Sequence, residues 1–109
     1  PPLFPYTTLF RSDHPLAEEQ FIPLISAANV TIERIVSTGQ TSPAGTWFDQ
    51  PRNEWVILLQ GSASLRFEDE ATARELQAGD HLHIVPHRRH RIEHTCLDEP
   101  TVWLAVHYD

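Results

Sequence analysis

Histidine and arginine are concentrated in one stretch of the chain, PHRRHRIEHT at residues 86–95, which holds three of each in ten positions. Such a stretch could contact a phosphate backbone, or its imidazoles could belong to a metal site. If the second half forms a strand, alternation places His90, Ile92 and His94 on one face and the intervening residues on the other. Because Ile92 marks that face as the core side, we expect His90 and His94 to point inward.

A carboxylate opens the most apolar segment of the chain, EWVILLQG at residues 54–61. Val56 and Leu58 follow Glu54 at the same parity, so its side chain is expected to face the interior with theirs. A lone buried carboxylate is costly unless it is paired or bound to a cation. A neighbouring imidazole or a divalent metal ion would remove that cost.

The composition argues against nucleic-acid and membrane partners. The net charge is −7, whereas nucleic-acid-binding domains normally carry a basic footprint. The chain contains no apolar run long enough to span a bilayer. Its 109 residues suit one domain with one core. Cys96 is the single cysteine, which excludes an intrachain disulfide and fits a reducing compartment, so we expect a cytoplasmic protein.

The beginning of the chain is treated separately from the fold. LFPYTTLFRS at residues 3–12 resembles the translation of a widely used sequencing adapter. We therefore expect residues 1–12 to be non-native and a single domain to occupy residues 13–109. Asp13 as N-cap, a proline in the first turn and acidic residues after it predict a short helix over residues 15–21.

The rest of the chain predicts an all-β fold. From residue 30 onward, seven or eight short segments of strand character are separated by turns rich in Gly, Pro, Ser and Asp. Such spacing indicates a sandwich or barrel. The continuous apolar run at residues 54–61 is typical of a strand buried on both faces. Because so small a protein offers few internal partners for the second face, we expect a homodimer.

Two segments resemble the two motifs of the cupin superfamily. Residues 54–61 are similar to the E-x6-G half of the first motif. Residues 79–90, GDHLHIVPHRRH, are similar to the second motif, G-x5-P-x-G-x2-H, with Val85 at the usual proline and His87 at the usual glycine. The resemblance covers residues 28–108 and is greatest to small single-domain bacterial cupins with a WxDQ…EWV…GDxLxIPAHxxHR pattern. It implies a small jelly-roll β-barrel.

The resemblance also implies a site for a divalent transition metal, with Glu54 and His90 as the ligands that carry over residue by residue. The chain departs from the pattern where metal-binding cupins usually carry H-x-H, because it has Trp-Phe-Asp-Gln at residues 47–50. A mixed nitrogen and oxygen set suits Fe, Mn, Ni, Cu or Zn without choosing among them. The side chains that could complete such a set are Asp49, Gln50 and His94.

These features favour a metal-dependent enzyme, of the oxygenase or isomerase type, that acts on a small organic molecule. Two alternatives stay open. One is a non-catalytic barrel that captures a small ligand with weak or no metal, which the missing H-x-H supports. The other is a copper-dependent enzyme that oxidises a saccharide. Arg88 and Arg89, in the loop before His90, could clamp an anionic substrate at the cavity entrance or lie in a solvated turn.

Overall fold

The computed structural model describes residues 18–109. Within that range the chain forms strands and connecting loops and no helix. Accordingly, no helix capable of crossing a membrane occurs in this part of the chain. The strands are β1 (Gln20–Ser26), β2 (Val30–Ser37), β3 (Asn53–Gln60), β4 (Ser62–Phe67), β5 (Arg74–Gln77), β6 (His81–Ile84), β7 (His90–Thr95) and β8 (Thr101–Tyr108).

The strands form two antiparallel sheets that enclose the core. The larger sheet has the order β1-β2-β8-β3-β6, and the smaller sheet has the order β5-β4-β7. The last strand, β8, lies between β2 and β3 and pairs with both along its length. Consecutive strands therefore often change sheet, which is the arrangement of a jelly-roll barrel. The predicted all-β jelly-roll fold is confirmed.

The core lies between the inner faces of the two sheets. Alternation in β4 turns Ala63, Leu65 and Phe67 inward, as the sequence predicts, and these pack with Val56 and Leu58 of the facing sheet. Leu58 and Phe67 have no exposed surface, so each contributes about 1.5–3 kcal/mol of apolar burial. The inner faces are thus apolar at their centre, and their buried polar side chains lie toward both ends.

Strand β3 is buried on one face rather than on both. Its inward residues Glu54, Val56 and Leu58 are buried, while Trp55 is half-buried and Leu59 is 44% exposed. Residues 18–109 therefore provide no complete covering layer for the outer side of this apolar strand.

The predicted helix over residues 15–21 is wrong in its described part. Residues 18 and 19 are irregular, and β1 begins at Gln20 and pairs with β2. The edge of β2 offers a row of backbone donors and acceptors, and pairing with them outweighs the local helix signals. Residues 15–17, the adapter-like segment and the predicted start of the domain at residue 13 lie outside the described residues.

The turn from β3 into β4 requires a glycine. Gly61 has φ +88°, and an added Cβ would lie 2.8 Å from the Cα of Thr101 and 3.0 Å from the carbonyl oxygen of Pro100. Both the left-handed backbone and the close neighbouring chain exclude a larger residue. The last position of the E-x6-G segment is thereby explained by the crossing of the chain from one sheet to the other.

Candidate functional site

A cavity of about 110 Å³ lies between the two sheets. Most of its wall is apolar, with side chains such as Ile35, Val56 and Trp103 contributed by the larger sheet. The polar side chains among its described lining residues are Glu19, Glu33, Gln50, Glu54, His90 and His107. A mainly apolar cavity with a few convergent polar groups is typical of a small-molecule site.

Glu54 and His90 meet in this cavity from opposite sheets. Glu54 enters from β3 and is 8% exposed, and His90 enters from β7 and is 5% exposed. The Glu54 Oε1 and His90 Nε2 atoms are 3.8 Å apart. The predicted convergence of these two side chains is therefore confirmed. The Gln50 side-chain amide donates to Glu54 Oε1, which gives the buried carboxylate a hydrogen-bond partner.

The His90 ring is held so that one nitrogen stays open to the cavity. Its Nδ1 lies 2.9 Å from the carbonyl oxygen of Arg88, and since a carbonyl only accepts, Nδ1 carries the hydrogen. Phe48 and Phe67 flank the ring with centroids at 5.5 and 6.1 Å. No described residue makes a hydrogen bond to Nε2, so this atom is a fixed proton acceptor whenever the imidazole is neutral.

A second acid–imidazole pair shares the cavity. His107 Nε2 on β8 lies 3.1 Å from Glu33 Oε1 on β2, and both side chains are largely buried. His107 is also the register partner of Glu54 across β3 and β8, and antiparallel partners share one face of a sheet. Glu33, His107 and Glu54 therefore form a row of carboxylate, imidazole and carboxylate across three adjacent strands.

Sequence reasoning missed this second pair. The cupin-like motifs do not include His107, and nothing local links it to Glu33, which lies 74 positions earlier. One signal was present: Trp103, Ala105 and His107 alternate in β8, and the first two are core residues. Parity alone therefore placed the imidazole on the inner face.

The segment before Glu54 places alternate residues in the cavity. Phe48 forms a two-way backbone bridge with His90, with N···O distances of 2.7 and 3.1 Å, and both Phe48 and Gln50 line the cavity. Asp49, between them, turns outward, and its Oδ1 lies 2.8 Å from His87 Nδ1. Gln50 is thus at the site, whereas the expectation that Asp49 joins it is corrected by this alternation.

His94 lies on the outer face of the smaller sheet. In the β4–β7 ladder, Leu65 pairs with Ile92 but Ser64 pairs with His94, so Glu93 is an extra residue that forms a bulge. A bulge reverses the side-chain alternation beyond it. The parity argument therefore holds for His90 and fails for His94, which is exposed.

Arg88 and Arg89 are engaged outside the cavity. Arg88 donates twice to Asp69, at 3.0 and 3.1 Å, and its guanidinium lies 3.6 Å from the centroid of the Phe67 ring. Its hydrogen bonds hold the pKa of the Asp69 carboxyl below the usual range. Arg89 pairs with Glu68 at 3.0 Å. Neither arginine lines the cavity, so the expected clamp at its entrance is not formed. Arg88 instead fixes the loop that orients His90.

His87 adopts the conformation for which the second motif normally uses glycine. Its φ is +62°, in the left-handed region, and its backbone N–H donates to the carbonyl of Gln50 at 2.8 Å. Histidine tolerates this region better than most residues but still incurs a steric cost there. The loop that supplies His90 is therefore held in a strained conformation at one residue.

A pair of variants at position 87 tests this strain. His87→Gly is expected to be more stable than His87→Ala by about 0.5–1 kcal/mol, because the left-handed cost of a Cβ exceeds the unfolded-state entropy of glycine. Both variants lose the contact to Asp49, so that term cancels. Urea denaturation of the two proteins measures the difference. Greater stability of the alanine variant, as found at ordinary positions, would contradict a strained residue 87.

Comparison with solved structures agrees with the fold: the chain belongs to the cupin superfamily. It is 45% identical to a protein of Ralstonia eutropha JMP134 named as a candidate mannose-6-phosphate isomerase, with a TM-score of 0.86 over 92% of this chain and 94% of that chain. A cupin superfamily protein of Desulfitobacterium hafniense DCB-2 is 18% identical, with a TM-score of 0.74 over 96% of this chain and 88% of the other.

An RmlC-like cupin of Methanocaldococcus jannaschii, with a double-stranded β-helix fold, is 17% identical, with a TM-score of 0.70 over 91% of this chain and 85% of the other. At this identity the likeness concerns the fold alone. No protein-family model matches the chain, and no curated protein matches it significantly.

The residues present do not fit the divalent-metal site that the resemblance implies. Among residues 18–109, no group of three or more His, Cys, Asp or Glu side chains is arranged to hold a metal ion. Phe48 and Gln50 face the cavity before Glu54, where metal-binding cupins usually present two imidazoles. A phenyl ring cannot coordinate a metal, and position 50 carries an amide, which donates its N–H to Glu54, in place of an imidazole. Glu54 and His90 are fewer than the three or four protein ligands of a typical site, and the Nε2 atom of the neighbouring His107 is paired with Glu33 at 3.1 Å.

Proposed function

We propose that this cupin is a metal-independent acid–base enzyme of the isomerase type, in which His90 moves a proton on a small organic molecule bound in the cavity. The observation that carries the proposal is the state of His90: its Nδ1 is bound to the Arg88 carbonyl, and its Nε2 faces the cavity without a hydrogen bond from the described residues. Histidine is the most common general base in enzymes because its pKa lies near the working pH.

The chemistry that this geometry supports is proton transfer next to a carbonyl. His90 Nε2 takes the proton from the hydroxyl-bearing carbon beside the carbonyl. The C–H electron pair forms a C=C bond while the C=O π pair moves onto the carbonyl oxygen, which gives an enediolate. Return of the proton to the neighbouring carbon, with a second proton passing between the two oxygens, moves the carbonyl by one position. The Glu54 carboxylate, 3.8 Å from Nε2, stabilises the imidazolium that forms in between.

The name of the Ralstonia relative supports the reaction class. A mannose-6-phosphate isomerase moves a carbonyl between neighbouring carbons, and 45% identity over nearly the whole of both chains makes a related reaction reasonable here. The name does not support a phosphorylated substrate for this chain, since none of the described side chains that line this cavity is an arginine.

Exchange of substrate hydrogen for deuterium tests the proposal. The protein is incubated in D₂O with a panel of small aldehydes, ketones, aldoses and ketoses in the presence of a chelator. Proton NMR is expected to show loss of the signal from the carbon next to the carbonyl for at least one compound. Absence of exchange across the panel, with clear binding of panel members, would favour the second candidate function, non-catalytic capture of a small ligand in the same cavity.

Metal removal separates this proposal from the metal-dependent alternatives. In those alternatives, Glu54 and His90 would hold an Fe, Mn, Ni, Cu or Zn ion. The enzyme would then be an oxygenase, an isomerase or a copper-dependent saccharide oxidase. In protein purified without a metal-binding tag, elemental analysis is expected to find much less than one metal per chain, and EDTA is expected to leave the melting temperature unchanged. Stoichiometric metal that disappears in Glu54→Ala and His90→Ala would contradict a metal-independent site.

We also propose a homodimer formed through the outer face of the larger sheet. The support is the incomplete covering of β3, where Leu59 is 44% exposed and the ring of the half-buried Trp55 is tilted against that of His81 with centroids 5.7 Å apart. Sedimentation velocity is expected to give about twice the 12.5 kDa chain mass, and Leu59→Asp is expected to shift the distribution toward monomer. A wild-type monomer at high concentration would contradict the interface.

We also propose that the protein is cytoplasmic. Its support is Cys96, which is a free, partly buried thiol. Fractionation of a cell that expresses the native gene would test it, and recovery of the protein outside the cytoplasm would contradict it.

A further inference from the structure

The charge of the cavity defines the class of molecule that it takes. We propose that the cavity binds an amine-bearing organic molecule as its ammonium cation and rejects phosphorylated and carboxylated molecules. The proposal rests on the proposed function, in that it assigns the substrate class of the same site.

The described residues that line the cavity include three carboxylates and no cationic side chain of fixed charge. They are Glu19, which precedes β1, Glu33 on β2 and Glu54 on β3. None of the described lining residues is an arginine, and the chain contains no lysine. Even with both imidazoles protonated, the carboxylates outnumber the positive charges. A cleft lined by one sign of charge attracts ligands of the opposite sign and repels those of the same sign.

Each carboxylate keeps room for a ligand. Among the described residues, Glu19 accepts a hydrogen bond from the Ser37 hydroxyl at 2.5 Å, Glu33 is paired with His107, and Glu54 accepts from the Gln50 amide. An ionised carboxylate accepts about four hydrogen bonds, so each has further acceptor positions. An ammonium group, which donates three hydrogen bonds, matches these acceptors, whereas a phosphate or carboxylate group would only add acceptors.

The open nitrogen of His90 is an independent sign that a ligand belongs here. The ring is 5% exposed and lines the cavity, and its Nε2, 3.8 Å from the Glu54 carboxylate, makes no hydrogen bond to a described residue. Buried polar groups in native proteins are nearly always partnered. A ligand that donates or shares a proton at this point would complete the pairing.

Aromatic walls add a second attraction for a cation. Phe21, Phe48 and Trp103 line the cavity together with the carboxylates. The faces of aromatic rings carry negative charge density and attract ammonium groups, and this attraction strengthens when the cation is shielded from water. Carboxylates combined with aromatic rings therefore favour an amine with an apolar body.

Three probes of one shape test the inference. Benzylamine, benzyl alcohol and benzoate share a skeleton and differ in charge at neutral pH. Isothermal titration calorimetry on the full chain is expected to give benzylammonium at least about tenfold tighter binding than benzyl alcohol and no measurable binding for benzoate. Glu19→Gln is expected to weaken benzylammonium binding about tenfold while leaving benzyl alcohol unchanged, whereas Glu99→Gln, the same change on an exposed loop residue, should alter neither.

The outcomes separate the ligand class from the proposed reaction. Benzoate binding as tightly as benzylammonium, or equal effects of the two glutamine variants, would overturn the ligand class. Neither result would affect deuterium exchange by His90, which is measured on carbonyl compounds regardless of their charge. Tight benzylammonium binding without any exchange would keep the ligand class and overturn the reaction. Glu33→Gln provides a second carboxylate variant, expected to weaken benzylammonium binding in the same direction as Glu19→Gln.

Discussion

Gly61→Ala is expected to lower the free energy of unfolding by about 3 kcal/mol. About 1–2 kcal/mol comes from forcing a Cβ into the left-handed region at φ +88°, and about 1–3 kcal/mol comes from overpacking. The new Cβ would meet the backbone of Thr101 and Pro100, which cannot rotate away as a flexible side chain would. Urea denaturation followed by tryptophan fluorescence measures the loss.

A matched control is available at the other motif glycine. Gly79 has φ +96°, and an added Cβ there would meet no atom within 4 Å. Gly79→Ala therefore carries only the conformational cost, about 1–2 kcal/mol. The difference between the two variants isolates the close approach of β8 to the β3–β4 turn. Equal losses at both positions would show that the neighbouring chain moves aside, and the proposed contact would be wrong.

The inner faces of the barrel were predictable because a period of two is a local property of the chain. Glu54, Val56 and Leu58 share a face whatever strand pairs with theirs, and the same holds for the residues of β4. His90 could be placed for the same reason, since it precedes the bulge. The resemblance added the pairing of Glu54 with His90, which alternation alone does not give.

The errors arose where a long-range contact decides the outcome. The bulge at Glu93 is a property of the β4–β7 ladder, and nothing in the local sequence marks it. The guanidinium of Arg88 is drawn away from the cavity by Asp69, which lies on another loop 19 positions earlier. The pairing of Glu33 with His107 requires the register of β2 on β8, which depends on the topology of the whole sheet. The alternation of residues along a strand predicts which face of the sheet a side chain lies on, but not which residues of other strands or loops it contacts.

The described residues of the site give Glu54 partners that do not require a metal ion. Glu54 keeps its place in the cavity, but its partner is the Gln50 amide rather than a set of imidazoles. An amide hydrogen bond and a nearby imidazole satisfy a buried carboxylate without a cation. The cost of burying Glu54, which pointed to a metal in the sequence, is thereby met by side chains of the chain itself.

His90→Gln is expected to reduce deuterium exchange by about 10²–10⁴-fold, the usual contribution of a positioned general base. Glutamine is similar in length but cannot take up a proton at neutral pH, so the loss reports proton transfer. His81→Gln makes the same change on the exposed outer face of β6 and is expected to leave the exchange rate unchanged.

A purely structural role of His90 predicts a different pattern from a catalytic one. In His90→Ala, the space left beside Glu54 can admit a free imidazole molecule, and added imidazole is expected to restore part of the exchange, since it returns the missing base to the same cavity. Restoration should follow the concentration of the neutral form of imidazole, while the melting temperature of the variant stays constant. Full exchange in His90→Gln, or a lost activity that imidazole fails to restore in a folded His90→Ala protein, would remove His90 from the reaction and leave the cavity as a binding site.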